Sequence, residues 1–385
     1  MGSVYPRVNF QVATAVAQLA AAIFTFAIPH VNSLWLILAN FSIIGLFLGF
    51  WEAGISYSSS GIPDIQLQLL SLIGSNMFEL HLWGRESPIF MQTMHFMFGV
   101  GAMIIPQVAE PFLVESGDIE SLKDSMVNMT ETFHPEDVLL VYPYSFVGAY
   151  LTFNAILTIT IWYYYPVTEA HPTRESESDD KADDDAVSRS PHFMRYKVMV
   201  IMLTAAFMHI YYGLQISFGS FLMTFAVKSE QLNLTKTDGA YISTLFWLTI
   251  TLQRIVTVTL LDKLSHEMSI LLSLSIILVA NACLTPFANS SATMLWIGVG
   301  LTGVGMSSIW PSIFGFLEMQ FQVTSVIGSI IIMSAIVGEF VFPVIISSFI
   351  SDYPQVLLLT VLCCSVSITL IFLIVLLICK LKLKR

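Results

Sequence analysis

Two carboxylates stand in segments that are otherwise apolar enough to cross a membrane. Glu52 closes one long apolar run, and Glu339 lies near the middle of another. An ionisable group at membrane depth is costly, so it marks a functional position by default. Burial favours the neutral form of a carboxyl and allows proton uptake near neutral pH, whereas carboxylate oxygens also suit hard cations such as Na⁺. We predict ion-coupling roles for both; the alternatives are a cytoplasmic vestibule for Glu52 and an interhelical hydrogen bond for Glu339.

An amide and an imidazole follow in the next apolar run. Gln92 and His95 are three residues apart, so they share one face of a helix. Together they offer hydrogen-bond donors and acceptors, which suits the hydroxyls of a sugar. The alternative is a hydrogen bond between helices. We predict that both residues bind substrate.

Polar and aromatic side chains recur in the second half of the chain. Gln215 and Trp247 lie in two successive apolar runs and are predicted to line the opposite wall of a binding site, with core packing as the alternative for the tryptophan. Arg254 lies nearer a cytoplasmic end, where it could act as a gate, form an ion pair or snorkel to the interface.

Composition places these residues in a membrane protein. Of 385 residues, 55% are hydrophobic and 11% are charged, against about 25% charged in a soluble domain. The apolar residues form blocks near the length of about 20 residues that spans a bilayer as a helix. The few basic residues form no nucleic-acid-binding face, the four cysteines lack metal-ligand spacing, and no pairing of a nucleophile with a base indicates an enzyme. We therefore predict an all-α polytopic membrane protein without a cofactor or metal site.

Ten spans can be drawn, at about 10–28, 34–53, 89–112, 138–164, 196–227, 240–261, 268–287, 294–316, 325–350 and 356–379. With both termini in the cytoplasm, the Lys and Arg residues that fall outside are Lys123, Lys228 and Lys236. Three glycosylation sequons then face outward, at Asn128, Asn233 and Asn289. The pattern predicts a glycosylated protein of the plasma membrane or secretory pathway.

One hydrophilic stretch divides the chain. The segment from Glu175 to Asp185 is strongly acidic and cannot bury apolar area, so we expect a cytoplasmic linker over 166–195. A partial bundle of four helices over 1–165 would precede it, and a bundle of six over 196–380 with a basic tail at 381–385 would follow. Six helices plus six, joined by a cytoplasmic linker, is the plan of the major facilitator superfamily.

The chain resembles one branch of that superfamily, which contains the fucose–proton symporter and the animal sodium-dependent glucose transporter and major facilitator domain-containing protein 4 groups. Their fourth helix ends in an acidic residue, two small residues and an Asn, and their fifth opens with Gln-Thr-x-(Asn or His). The matching residues here are Glu52, Asn76, Gln92, Thr93 and His95. Supporting matches are Gly239 to Trp247 with Arg254, Ile309-Trp310-Pro311, and Gly338-Glu339 with Pro343.

The chain departs from this pattern in two ways. The first two helices of the family are missing, so we expect an N-terminally truncated chain. Residues 55–74 separate Glu52 from Asn76, and deleting them restores the family spacing, so we interpret this stretch as an insertion.

The resemblance implies a secondary active transporter of a hexose such as glucose, coupled to Na⁺ or H⁺ and working by alternating access. Its partners would be the sugar, the coupling ion and the lipid bilayer. The alternative is a truncated, non-transporting paralogue that acts as a membrane scaffold or partner. A seven-helix receptor is disfavoured by the span count.

Overall fold

The computed structural model describes residues 10–31, 33, 35–45, 47, 87–112, 141–164, 191–229, 231–232, 234–260, 264–321 and 323–382. In this part of the chain the long elements are all helices: α1 (Phe10–Ala27), α2 (Trp35–Gly45), α3 (Ser87–Ala109), α4 (Val141–Tyr164), α5 (Pro191–Lys228), α6 (Lys236–Leu260), α7 (His266–Phe287), α8 (Ala292–Ser307), α9 (Ile309–Glu318), α10 (Ser325–Ser347) and α11 (Val356–Lys382). Short 3₁₀ turns, Ile28–His30 and Glu110–Phe112, follow α1 and α3.

The helices coincide with the ten spans predicted from hydropathy, although α2 is described for only part of its span. Among the described residues, six helical stretches are long and apolar enough to cross a membrane. One of them consists of α8 and α9 together. A helix satisfies every backbone hydrogen bond within its own segment, which a segment surrounded by lipid requires. The fold is therefore an all-α membrane protein.

The chain divides into two compact units. The first comprises Met1–Pro88 with Val108–Arg174, and the second comprises Ile89–Gln107 with Glu175–Arg385. Most of α3 thus clusters with the later helices. The predicted bundle boundaries at residues 165 and 196 stay a prediction.

In the first unit, α1 packs against α4 through small residues. The alanines of α1 at positions 15, 17, 21 and 22 are buried, as are Gly148 and Ala155 on α4. A Cβ at Gly148 would lie 2.8 Å from the ring of Phe26. Thr158 donates a hydrogen bond of 3.3 Å to the buried side chain of Gln18. Small residues let the two backbones approach, and a polar contact joins them.

In the second unit, α5 is the central helix. It is 38 residues long and packs against α6, α10 and α11, while α8 packs against α6 and α7. Its buried aromatic residues fill the interior of the unit, led by Phe207, Tyr211, Phe218 and Phe225. This helix therefore holds α6, α10 and α11 together.

The eighth predicted span is not one uninterrupted helix. A turn at Ser308 separates α8 from α9. The third residue of α9 is Pro311, which follows Trp310. Proline has no N–H to donate to the carbonyl of Ser307, and its ring crowds that carbonyl. The carbonyl of the preceding residue, Met306, accepts a hydrogen bond of 2.6 Å from the hydroxyl of Tyr211, so a side chain from α5 supports the interrupted helix.

Candidate functional site

The structure describes some of the predicted site residues and not others. Glu52, Asn76, Asn128 and Asn233 lie outside the described residues, as do the side chains of Gln92 and His95, although the backbone of both is part of α3. The side chains that can be placed are Gln215, Trp247, Arg254, Glu339 and Asn289. All five of these belong to the second unit, as does the segment of α3 that carries Gln92 and His95.

Trp247 lies where α3 meets α6. Its indole is 7% exposed and contacts the ring of Phe98 edge-on, with 5.7 Å between ring centroids. One turn further along, Gly99 lies directly against the side chain of Thr251, leaving no room for a Cβ. Thr251 in turn donates to the carbonyl of Trp247 at 2.7 Å. The glycine therefore allows α3 to approach the face of α6 that carries the tryptophan.

A polar contact continues the same interface. The amide of Gln107 donates to the hydroxyl of Thr244 at 2.9 Å, and that hydroxyl donates to the Met103 carbonyl at 3.1 Å. Gly99, Met103 and Gln107 follow each other at intervals of four residues, so they form one face of α3. That face sets the register of α3 against α6.

Gln215 lies on α5 one turn before a glycine that contacts Trp247. The glutamine is 4% exposed on α5, and Gly219 one turn later packs so closely on Trp247 that a Cβ would lie 2.6 Å from the indole. The residue one turn after Gln215 therefore contacts Trp247, and the substrate-binding roles of both residues stay a prediction.

A second close contact joins α5 to α10. Gly338 lies directly against the backbone carbonyl of His209, and a Cβ on Gly213 would lie 2.6 Å from the Gly338 carbonyl oxygen. The ring of His209 hydrogen-bonds through Nδ1 to the Ser334 carbonyl at 2.9 Å, and the Ser334 hydroxyl donates to the Ala205 carbonyl at 2.9 Å. Residues spaced four apart on α5 therefore contact residues spaced four apart on α10. Glu339, which is half-buried, immediately follows this contact.

Three aromatic rings extend from α5 to the interrupted helix, and Trp310 among them is buried. The rings of Tyr212 and Trp310 are 5.0 Å apart, and those of Trp310 and Phe314 are 6.0 Å apart. The face of an aromatic ring can pack on the apolar face of a pyranose. The sequence analysis named Trp310 only as a supporting match of the family resemblance.

Arg254 is buried within the second unit. It is 8% exposed and lies within electrostatic range of the hydroxyls of Tyr211 and Tyr212. Near the same end of α6, Thr257 and Ser308 share a hydrogen bond of 2.8 Å, and the Ser307 hydroxyl donates to the Ile250 carbonyl at 2.9 Å. The arginine is thus enclosed by protein beside the interruption between α8 and α9 and does not extend to the surface of the unit.

Two crystal structures have the same arrangement of helices. The E. coli fucose:proton symporter matches with a TM-score of 0.52 and 15% sequence identity, over 96% of this chain and 83% of the symporter. The major facilitator superfamily transporter FucP in the outward conformation matches with a TM-score of 0.51 and 15% identity, over 96% and 82% of the two chains. The chain has the major facilitator fold.

Sequence comparison shows that this chain is similar to animal transporters. It is 23% identical over 379 residues to sodium-dependent glucose transporter 1 of Xenopus laevis, an alignment that covers 96% of this chain and 70% of the relative. The human sodium-dependent glucose transporter 1 is 21% identical over 377 residues, with 94% and 66% covered. Major facilitator superfamily domain-containing protein 4A of Xenopus tropicalis is 22% identical over 324 residues, with 71% and 64% covered. The chain spans between 64% and 70% of the length of these three relatives. No protein-family model matches it.

Two polar features of the chain lie at the ends of its predicted spans. Asn289, in the turn after α7, accepts a hydrogen bond of 2.8 Å from Ser229 and donates one of 3.4 Å to Gln231. At the start of α6, Asp238 accepts hydrogen bonds from the backbone N–H and the hydroxyl of Thr235. These bonds lower the pKa of Asp238, which also carries the favoured charge for a helix N-terminus.

Sequence reasoning missed the contacts that hold the site together. Phe98, Thr244 and Ser334 received no role, although each makes one of the contacts around Trp247 or His209. Small residues at intervals of four were the available signal, because such residues mark close helix crossings in membranes. Across the described residues, no group of three or more His, Cys, Asp and Glu side chains could hold a metal ion.

Proposed function

We propose that this chain is a secondary active transporter of a hexose, coupled to Na⁺ or H⁺ and working by alternating access. The observation that carries the proposal is similarity to sodium-dependent glucose transporter 1 along 96% of the chain, together with the major facilitator fold. Because the similarity extends over nearly the whole chain, it includes both polar elements that the sequence analysis assigned to the site.

The surroundings of the described site residues favour a sugar as substrate. Gln215 provides a buried amide on α5, and Trp247 provides a large buried ring on α6. Tyr212 and Trp310 form a second aromatic pair in the same unit. Amides suit sugar hydroxyls and rings suit the apolar face of a pyranose, so one unit supplies both kinds of contact.

The role of α3 in this proposal follows from its register. Gln92 and His95 precede Gly99 by seven and four residues, so the helical repeat assigns all three to one face. Gly99 packs on α6 in the turn that follows Trp247. We therefore assign Gln92, His95 and Asn76 to substrate binding together with Gln215 and Trp247.

Ion coupling and gating are assigned to charged residues. Glu52 and Glu339 are the proposed coupling carboxylates, since both lie in apolar segments where a charge is costly. Arg254 is the proposed gate, because it is buried beside the interruption between α8 and α9. The chain is proposed to lie in the plasma membrane with both termini facing the cytoplasm. Glycosylation is proposed at Asn128, Asn233 and Asn289.

Direct binding tests the proposal before transport is attempted. Purified full-length protein should retain radiolabelled D-glucose in a scintillation proximity assay, and unlabelled sugar should displace the label. Gln92→Ala and Gln215→Ala should each weaken binding by about tenfold, the loss expected when one hydrogen-bonding partner is removed. Gln231→Ala, a polar change near the end of α5, should leave binding unchanged. A folded protein that binds no hexose would overturn the proposal and favour the non-transporting alternative.

A further inference from the structure

We propose that His209 is a proton-binding residue of this transporter and that it takes up the coupled proton at Nε2. The inference rests on the proposed function and deepens it, because it selects H⁺ as a coupling ion and names an atom that carries it. His209 is the nineteenth of the 38 residues of α5, so an imidazole stands at the midpoint of a helix long and apolar enough to cross a membrane. Ionisable groups at that depth are expensive and mark proton relays.

The hydrogen bond of His209 determines which of its nitrogens carries the hydrogen of the neutral ring. Nδ1 lies 2.9 Å from the carbonyl oxygen of Ser334, and a backbone carbonyl can only accept. Nδ1 therefore carries a hydrogen in both protonation states of the ring. The lone pair of the neutral ring is on Nε2, so one proton added there converts the imidazole to an imidazolium and no other bond changes.

The same hydrogen bond links protonation to helix packing. A charged donor makes a shorter and stronger hydrogen bond than a neutral one, so protonation tightens the bond from α5 to the Ser334 carbonyl of α10. The two helices touch at this point, since Gly338 lies against the His209 carbonyl and the Ser334 hydroxyl bonds to the carbonyl of Ala205. Proton binding thus favours whichever conformation of the transporter keeps α5 and α10 in contact.

Few charged groups lie on the parts of neighbouring helices that flank His209. On α10, the ionisable group is Glu339, one residue after the contact glycine; on α6 it is Arg254, beside Tyr211 and Tyr212 of α5 itself. The ring of His209 also packs on Phe342, with centroids 5.9 Å apart.

The test uses full-length protein in liposomes with a fixed internal pH and variable external pH. Uptake of radiolabelled D-glucose and L-fucose is measured with and without an inward proton gradient, in the absence of Na⁺. The gradient should raise uptake by about fivefold or more, the low end of usual coupling between two sites. His209→Asn should abolish this stimulation while counterflow exchange continues, because the Asn amide can still donate to the Ser334 carbonyl but cannot bind a proton.

Two control variants separate protonation from packing. His192→Asn removes an exposed imidazole at the start of the same helix and should keep the response to the gradient. Ser334→Ala removes the hydroxyl bond to the Ala205 carbonyl but keeps the carbonyl that His209 contacts, and should also keep the response. If the proton gradient stimulates uptake by His209→Asn as much as by the parent protein, the inference is overturned. The proposed function as a hexose transporter would still stand. Absence of sugar uptake and exchange under every condition would instead overturn the proposed function.

A spectroscopic measurement tests the proton site without transport. In ¹⁵N-histidine-labelled protein, the signal that His209→Asn removes belongs to His209. The neutral ring should carry its hydrogen on Nδ1, and acidification should shift the Nε2 signal to that of a protonated nitrogen. A neutral ring with its hydrogen on Nε2, or a signal that does not change with pH, would overturn the inference.

Discussion

Gly338 of α10 lies directly against the backbone carbonyl of His209 on α5, so these two helices touch through their backbones. Gly213 makes the reciprocal approach one turn along α5. Membrane helices pack by close contact and hydrogen bonding because lipid supplies no hydrophobic drive between them. The contact therefore requires glycine for its geometry.

Replacing Gly338 should destabilise the second unit. A Cβ there would overlap the His209 carbonyl, which is backbone and cannot move aside, so Gly338→Ala should cost about 1–3 kcal/mol of unfolding free energy. Gly101→Ala is the matched control, because a Cβ on Gly101 meets nothing within 4 Å. Thermal or denaturant unfolding in detergent measures both variants. Equal stability of the two variants would contradict the packing described here.

The contact between α3 and α6 should show energetic coupling between Gln107 and Thr244. Their side chains hydrogen-bond at 2.9 Å, and interhelical bonds in membranes average about 0.6 kcal/mol, with about 1.7 kcal/mol as an upper value. A double-mutant cycle with Gln107→Leu and Thr244→Val measures the interaction. Additive effects of the two substitutions would show that the bond contributes nothing to the register of α3.

Hydropathy predicted the helices well because a helix in lipid must satisfy its own backbone, whatever its neighbours are. The division at Ser308 was less visible, since Pro311 is tolerated near the start of α9 and marks an interruption only when the preceding carbonyls find other donors. Tyr211, about 95 residues earlier in sequence, supplies one of those donors. Such a partner depends on which helices pack together, and hydropathy does not carry that information.

The site was predicted in its residue types more than in its contacts. Gln215 and Trp247 are both buried in the second unit, and their roles in binding stay predictions. The register that sets Gly99 against Thr251 and Phe98 against Trp247 could not be predicted, because it depends on the shapes of two helices that are far apart in sequence. The predicted roles of Glu52 and Asn76 concern residues outside the described part of the chain.

Trp247 should be needed for sugar binding through its ring. Trp247→Ala should lower glucose affinity by at least about tenfold, since an aromatic contact is worth about 0.5–1.5 kcal/mol beyond the area it buries. Trp247→Phe should restore part of the affinity. Tyr241→Ala provides the control, because Tyr241 is an aromatic residue of α6 that is 51% exposed. Equilibrium binding of labelled glucose distinguishes these results, and an unaltered affinity in Trp247→Ala would remove the residue from the site.

Glycosylation at Asn289 should report the orientation of the chain. Expression in animal cells should give a glycan on Asn289 that Asn289→Gln removes, seen as a faster-migrating band after the substitution. Ser291→Thr keeps the sequon and a hydroxyl for the hydrogen bond that Ser291 accepts from Met294, so the glycan should remain. Because the turn after α7 is short, Asn289 should be modified less completely than Asn128 or Asn233. A glycan on none of the three would contradict the proposed orientation.

Uptake by reconstituted full-length protein tests the central claim most directly. Liposomes containing the chain should accumulate radiolabelled D-glucose when an inward Na⁺ or proton gradient is imposed, and dissipating the gradient should return the sugar to equilibrium. Trp247→Ala should abolish the accumulation and Tyr241→Ala should not. Uptake no greater than that of protein-free liposomes, from a protein shown to be folded and inserted, would contradict the assignment of this chain as a hexose transporter.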